Sequence, residues 1–217
     1  MDQALEVLPA DYWRYFLMHQ APESDDADFT WEQFAAVINK DLVGIFGNFI
    51  HRTLKLTASQ FGNQVPAGGE PGERERALAR DCAAAVEAYR TALRKVEFRK
   101  AVQALRRLWM LGNQYLDERA PWNLVKRDRE TGAMVLRTAI NLIRLYALAA
   151  EPILPFTAQR LFEALKMTPA ERKVPLRGAV DLSALAPGRP FESLPPLFRR
   201  LDAAEVERLK ARFGGET

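Results

Sequence analysis

The sequence predicts an all-α protein: a helical bundle with an extended proline-rich tail and a C-terminal helix. Three observations carry that reading. Apolar residues recur at three- and four-residue spacing along most of the chain, while strand-like alternation is scarce. Glycine and proline concentrate in Gly62–Gly72 and again beyond Met167. A hydrophobic content of 48% in 217 residues is enough to bury one large domain, or one domain with a small appendage.

The elements follow in order. Ala10–His19 is amphipathic, with Tyr12, Trp13, Tyr15, Phe16 and Leu17 forming an aromatic face, and the polar stretch Pro22–Asp28 ends it. Thr30 with Gln33 three residues later reads as a capping box, and Asp28 lies just upstream of the positive helix end. The helix opened there should be long, because Phe34, Ile38, Leu42, Ile45, Phe49, Thr53 and Leu56 keep the spacing of a core-facing stripe. Gly44 and Gly47 interrupt it at up to about 1 kcal/mol each in helix propensity, so a close approach of backbone or ligand is expected there. After the Gly62–Gly72 loop, Glu73–Glu118 is helical with a break near Val96. Its first half packs through Ala77, Leu78, Cys82, Ala85, Val86 and Tyr89; its second through Phe98, Val102, Leu105, Leu108, Trp109 and Leu116. Pro121 suits the first position of a new helix, where a missing N–H costs nothing. Gly132–Glu151 is apolar almost all round and reads as the central helix, and Pro155–Lys166 as a short one. Six prolines from Pro169 to Pro196 punctuate the tail before a last helix at about Ala203–Phe213. By this reading residues 10–166 form the bundle and 167–217 pack back on it.

Composition narrows the function. One cysteine, Cys82, and two histidines, His19 and His51, are too few for an internal disulfide or a closed zinc site, so no metal is expected and a reducing, cytoplasmic setting is. No basic segment followed by an apolar core opens the chain. The most apolar stretch, Val135–Phe156, is broken by charges and prolines and reads as buried rather than membrane-spanning. Net charge is only +3, but Arg90, Arg94, Lys95, Arg99, Lys100, Arg106 and Arg107 crowd one segment against a single acid, Glu97. Such a cluster can meet phosphate or can simply be a solvated helix face. A monomer is expected, since no long uncovered heptad seam is present.

Catalytic signatures are missing: there is no Gly-rich phosphate loop, His-x-x-x-His or Cys-x-x-Cys pair, or nucleophile elbow. One pair stands out. Asn48 and Arg52 are four apart on a helix and share a face, with Asp41, Gly44 and Lys55 extending the same polar strip. An amide beside a guanidinium suits the hydrogen-bonding edges of an unstacked base; alternatively the Asn satisfies nearby backbone and the Arg pairs with Asp41 or another acid. Trp122, on the first turn after Pro121, is either a hydrophobic anchor or a stacking platform worth about 1–3 kcal/mol per base.

Read together, these features resemble a known family. The run LPADYWRYFL…APESDDADFTWEQFAAVINKDLVGIFGNFIHR is similar to the segment that follows the catalytic domain in methionyl-tRNA synthetases. So are NQYLDERAPW, EPILPFTAQRL and the closing SLPPLFRRLDAAEVERLKARF. The resemblance covers nearly the whole chain, least diagnostically at 65–90. It implies a helical bundle of the class I synthetase anticodon-binding type, with residues 1–9 a remnant of the connector from a catalytic domain. It also implies that Asn48 and Arg52 contact splayed anticodon bases and that Trp122 stacks beneath the first, a cytosine in methionine tRNA. Pro121 would fix that helix start, Asn113 and Tyr115 would be supports, and Lys55, Arg94, Arg99 and Arg106 would hold phosphates.

The resemblance does not extend to aminoacylation. The family's His-x-Gly-His signature and Lys-rich loop are missing, and Lys166-Met167-Thr168-Pro169 only superficially resembles that loop and reads as a helix end. ATP and zinc would belong to a catalytic domain, supplied in cis or in trans, which with methionine tRNA is an expected partner. The competing reading is a freestanding homologue acting as a tRNA-binding or protein-interaction scaffold.

Overall fold

The computed structural model describes residues 2–23 and 28–213, so the middle of the polar Pro22–Asp28 stretch and the last four residues lie outside the described residues. The helices are α1 (Asp2–Val7), α2 (Ala10–His19), α3 (Trp31–Val37), α4 (Asn48–Phe61), α5 (Glu73–Arg94) and α6 (Phe98–Arg119). They continue with α7 (Pro121–Arg127), α8 (Arg129–Ala150), α9 (Pro155–Ala164), α10 (Pro169–Arg172) and α11 (Ala203–Phe213). A π-helical stretch, Ile38–Gly47, joins α3 to α4, and a 3₁₀ turn covers Leu176–Val180. Among the described residues the β pairing is one isolated bridge, Gln64 with Pro190.

Helix α8 is the axis of the bundle, buried at every position from Gly132 to Ala150 except Arg137. It is long and apolar enough to cross a membrane, but its apolar window is wholly buried by protein. The helices around it meet through aromatic rings. Trp109 of α6 stacks on Phe46 at 4.4 Å and on Tyr15 of α2 at 5.8 Å, and Phe49 lies 5.2 Å from Tyr146 of α8. Asp11 of α2 caps α9, accepting from the Thr157 N–H and hydroxyl, both at 2.7 Å.

Helix ends fall where local chemistry places them. Thr30 accepts from the Gln33 N–H at 3.2 Å, which is one arm of the expected capping box. Val96 (φ 60°) and Lys166 (φ 53°) terminate α5 and α9 in the left-handed region. In both cases the next residue bonds back five positions, Glu97 to Ala92 and Met167 to Phe162, each at 2.9 Å. Lys166-Met167 is therefore a helix end, and α9 is slightly shorter than periodicity suggested.

The unexpected element is the π-helical stretch. Extra residues per turn rotate the apolar stripe, so Phe46 and Ile50 are buried while Ile45 is only half-buried. Asp41 moves inward with them and leaves the polar strip expected of it. The glycines have the same origin: a Cβ at Gly47 would stand 2.9 Å from the Leu42 carbonyl oxygen, five residues back, and 3.3 Å from Phe198 of the tail.

The tail returns over the bundle and is less extended than expected, since α10 and the 3₁₀ turn lie within it. Val65 donates to Arg189 O and Gly188 to Val65 O, both at 2.8 Å. Asn141 exchanges hydrogen bonds with the Leu185 backbone, and Asn39 with that of Leu201. The Arg189 guanidinium binds Glu171 at 2.8 Å. Residues 2–9 also dock: Leu8 is buried and the Trp13 indole donates to Ala4 O at 3.1 Å.

Candidate nucleic-acid interface

The π-helical stretch with α4 runs parallel to α6, and three polar rungs join them in matching order. Asp41 meets Arg106 at 2.7 Å, Ile45 O accepts from the Asn113 amide at 3.2 Å, and Arg52 faces Asp117 at 3.7 Å. Asn113 also donates to Trp109 O at 3.1 Å, and the Tyr115 hydroxyl donates to Glu75 at 2.8 Å. Burial and the Glu75 carboxylate push the Tyr115 phenol upward, so it stays a donor. Both residues thus sit where they brace helices.

Trp122 is delivered by the end of α6. Ala120 adopts a left-handed conformation (φ 44°), closes α6 by donating to Leu116 O at 2.8 Å, and lets Pro121 begin α7 with no linker. The turn places the half-buried Trp122 indole against α4, with the Arg52 guanidinium 5.1 Å from its ring centroid. The sequence left Arg52 open between base contact and an acid partner. In the structure it lies between Trp122 and Asp117, not Asp41, and its side chain keeps 38% of its surface exposed.

These residues border a cleft of about 450 Å³, within the usual range of ligand sites. Arg52, Thr53, Lys55, Leu116, Pro121 and Trp122 are among its walls. Asn48 is exposed, and its side chain has no hydrogen-bond partner among the described residues. It opens onto a smaller neighbouring cleft of about 180 Å³, walled by Gly47 and by Pro196–Phe198 of the tail. His51 lines both clefts. Neither His51 nor Asp117 carries a sequence signal that sets it apart; each is found only by packing.

The basic residues separate. Lys55 is exposed at the main cleft. Arg94 and Arg99 are exposed at the α5–α6 turn, and twenty residues of helical rise set Arg99 about 30 Å from the Arg119 end of α6. Arg106 corrects the sequence reading: its Nε donates to the buried Asp41 carboxylate, which also accepts from Tyr15 at 3.0 Å. Its charge is balanced by that carboxylate, and the side chain keeps only 29% of its surface exposed, so it is less available to phosphate than the sequence reading expected. Among the described residues no group of three metal-ligating side chains is found.

The fold defines the class first: this is the all-helical anticodon-binding domain of a class I aminoacyl-tRNA synthetase. Apo methionyl-tRNA synthetase from Mycobacterium tuberculosis superposes with a TM-score of 0.81 and 26% identity, over 92% of this chain and 40% of that one. The family model described as the anticodon binding domain of methionyl tRNA ligase matches residues 65–217, and that of class I (M) tRNA synthetases matches 1–54. Methionine–tRNA ligase 1 of Acaryochloris marina is 50% identical over 216 residues, all of this chain and 39% of that protein. The Streptomyces avermitilis methionine–tRNA ligase is 45% identical over 99% of this chain and 38% of its own length. The chain belongs to the methionyl-tRNA synthetase family, and it spans about two fifths of the length of these relatives.

Proposed function

We propose that this chain reads the anticodon of methionine tRNA, with Trp122 stacking on the first base and Asn48 and Arg52 contacting base edges. The observation that carries the reading is the placement of Arg52 at the lip of an apolar cleft, against the Trp122 indole and beside Asp117. A flat aromatic face next to a guanidinium suits a splayed base, which needs both stacking and donors to its acceptor atoms. Lys55 supplies positive charge at the cleft; Arg94 and Arg99, near 30 Å away, suit phosphates farther along the RNA. Aminoacylation, with its ATP and zinc chemistry, would belong to a catalytic part outside this chain, acting in cis or in trans. Anticodon binding here would place the tRNA for that part.

The test is binding of methionine tRNA across a salt series, beside an anticodon-substituted tRNA and a Trp122→Ala variant. Affinity should fall with salt and drop by about 1–3 kcal/mol for either change. Equal binding in all four pairings would reduce the domain to a phosphate contact and move attention to a protein partner.

A further inference from the structure

Among the residues that line the main cleft, one carries a buried hydroxyl that the bundle leaves unused. Thr53 is 1% exposed and lines the cleft one residue after Arg52, and its Oγ1 has no hydrogen-bond partner among the described residues. A buried helical threonine has a local remedy, which is to donate to the carbonyl four residues earlier. Thr57 does so to Thr53 O at 2.8 Å, and Thr138 to Met134 O at 3.0 Å. Thr53 does not take the same option toward Phe49. Other unpartnered buried polar atoms, such as the Tyr89 hydroxyl and the Trp109 indole N–H, do not line this cleft.

The neighbouring side chains give that hydroxyl a role. Arg52 and Lys55 offer donors alone. Ser59 is exposed and already donates to Leu56 O at 2.9 Å. A heterocycle entering beside Trp122 therefore finds donors for its ring acceptors; of the side chains there that can accept, His51 is half-buried, Ser59 is exposed, and the Thr53 oxygen is the buried one without a partner among the described residues. We infer that Thr53 is a specificity-determining residue whose Oγ1 accepts a hydrogen bond from the amino group of an unstacked cytosine in this cleft, while Arg52 donates to the ring acceptors. The inference rests on the anticodon-reading proposal and names the group that selects an amino-bearing pyrimidine there.

The experiment uses the full chain and anticodon stem-loop RNAs whose first anticodon base is cytosine, uracil or pyrimidin-2-one, which lacks the amino group. Wild type should bind the pyrimidin-2-one RNA about tenfold more weakly than the cytosine RNA, the scale of one lost hydrogen bond. Thr53→Val should weaken cytosine binding by a similar factor, bind the pyrimidin-2-one RNA like wild type, and narrow the cytosine–uracil ratio. Thr53→Ser should keep that ratio. Thr53→Val should melt no lower than wild type, because valine removes an unpaired hydroxyl. Equal wild-type affinity for the cytosine and pyrimidin-2-one RNAs overturns the assignment even if the valine variant fails to fold. If Trp122→Ala weakens binding while Thr53→Val does not, only this inference fails; if Trp122→Ala is also silent, the anticodon reading fails with it.

Discussion

Gly112 is the point at which three helices close on one another, and its replacement by alanine tests the packing that holds the interface. It lies on α6, buried between Phe49 at the start of α4 and Tyr146 of α8. A methyl group there would overlap the Tyr146 hydroxyl and stand 2.8 and 3.0 Å from two Phe49 ring carbons. On helix propensity alone, alanine should gain about 1 kcal/mol over glycine. Against that, overpacking a filled core costs about 1–3 kcal/mol, and displacing the buried Tyr146 hydroxyl from Trp109 O adds a further ~1–3 kcal/mol. The losses win, for a net destabilisation of about 1–5 kcal/mol, or a fall in Tm of roughly 2–20 °C for a chain of this size. Thermal unfolding followed by circular dichroism measures it. The relief would come from α6 moving away from α4, so the Arg52–Asp117 rung should open and RNA affinity should weaken even below the new Tm. A variant that melts at or above wild type would refute the three-helix contact as the origin of this glycine.

Two other perturbations address the ion pairs. Asp41→Ala should destabilise the protein by about 2–4 kcal/mol in urea unfolding, because it strands the buried Tyr15 hydroxyl and releases Arg106; an unchanged midpoint would show that the triad contributes nothing. Arg189 beside Glu171, helped by the Thr168 N–H and hydroxyl, holds the Glu171 carboxyl at about 2, below its ordinary 4.5. Because the folded value is the lower one, this contribution is complete above pH 4.5 and fades as pH falls towards 2. Limited proteolysis of the tail should rise across that window in wild type and lose this part of its pH dependence in Glu171→Gln.

The sequence was legible wherever one segment settles its own structure. The buried α8, the break at Val96 and the Pro121 helix start are local facts of composition, and the structure repeats them. The resemblance pointed to Arg52 and Trp122, which the fold brings into contact across 70 residues. What failed was phase. A strict 3.6-residue period carried past Ile38 put Asp41 beside Asn48 on the surface, whereas the π-helical turns bury Asp41 and draw Arg106 after it. Gly44 and Gly47 were the visible trace of that stretch, but glycine alone does not distinguish a π turn from a tight crossing. Thr53 and Asp117 were out of reach for another reason: one was assigned to the apolar stripe and the other was an ordinary surface acid until α4 and α6 were seen side by side.

On the proposed anticodon reading, the contact between Arg52 and Trp122 is also what an incoming base would have to disturb. The guanidinium lies over the indole at 5.1 Å, so a base stacking on that face would take its place. A partly exposed cation–π contact is worth about 0.5–1 kcal/mol, while a stacked base contributes about 1–3 kcal/mol, so the exchange favours the base. Arg52 need not lose its balance in the process, because Asp117 stands 3.7 Å from it on α6. Swung off the ring, the guanidinium would lie at the edge of the incoming base with its donors turned to ring acceptors. The acid then limits how strongly that arginine can attract RNA by charge alone. Affinity at this position would then depend on a base that both stacks and hydrogen-bonds, and mounting the pieces on α4, α6 and α7 rather than on loops keeps their spacing fixed.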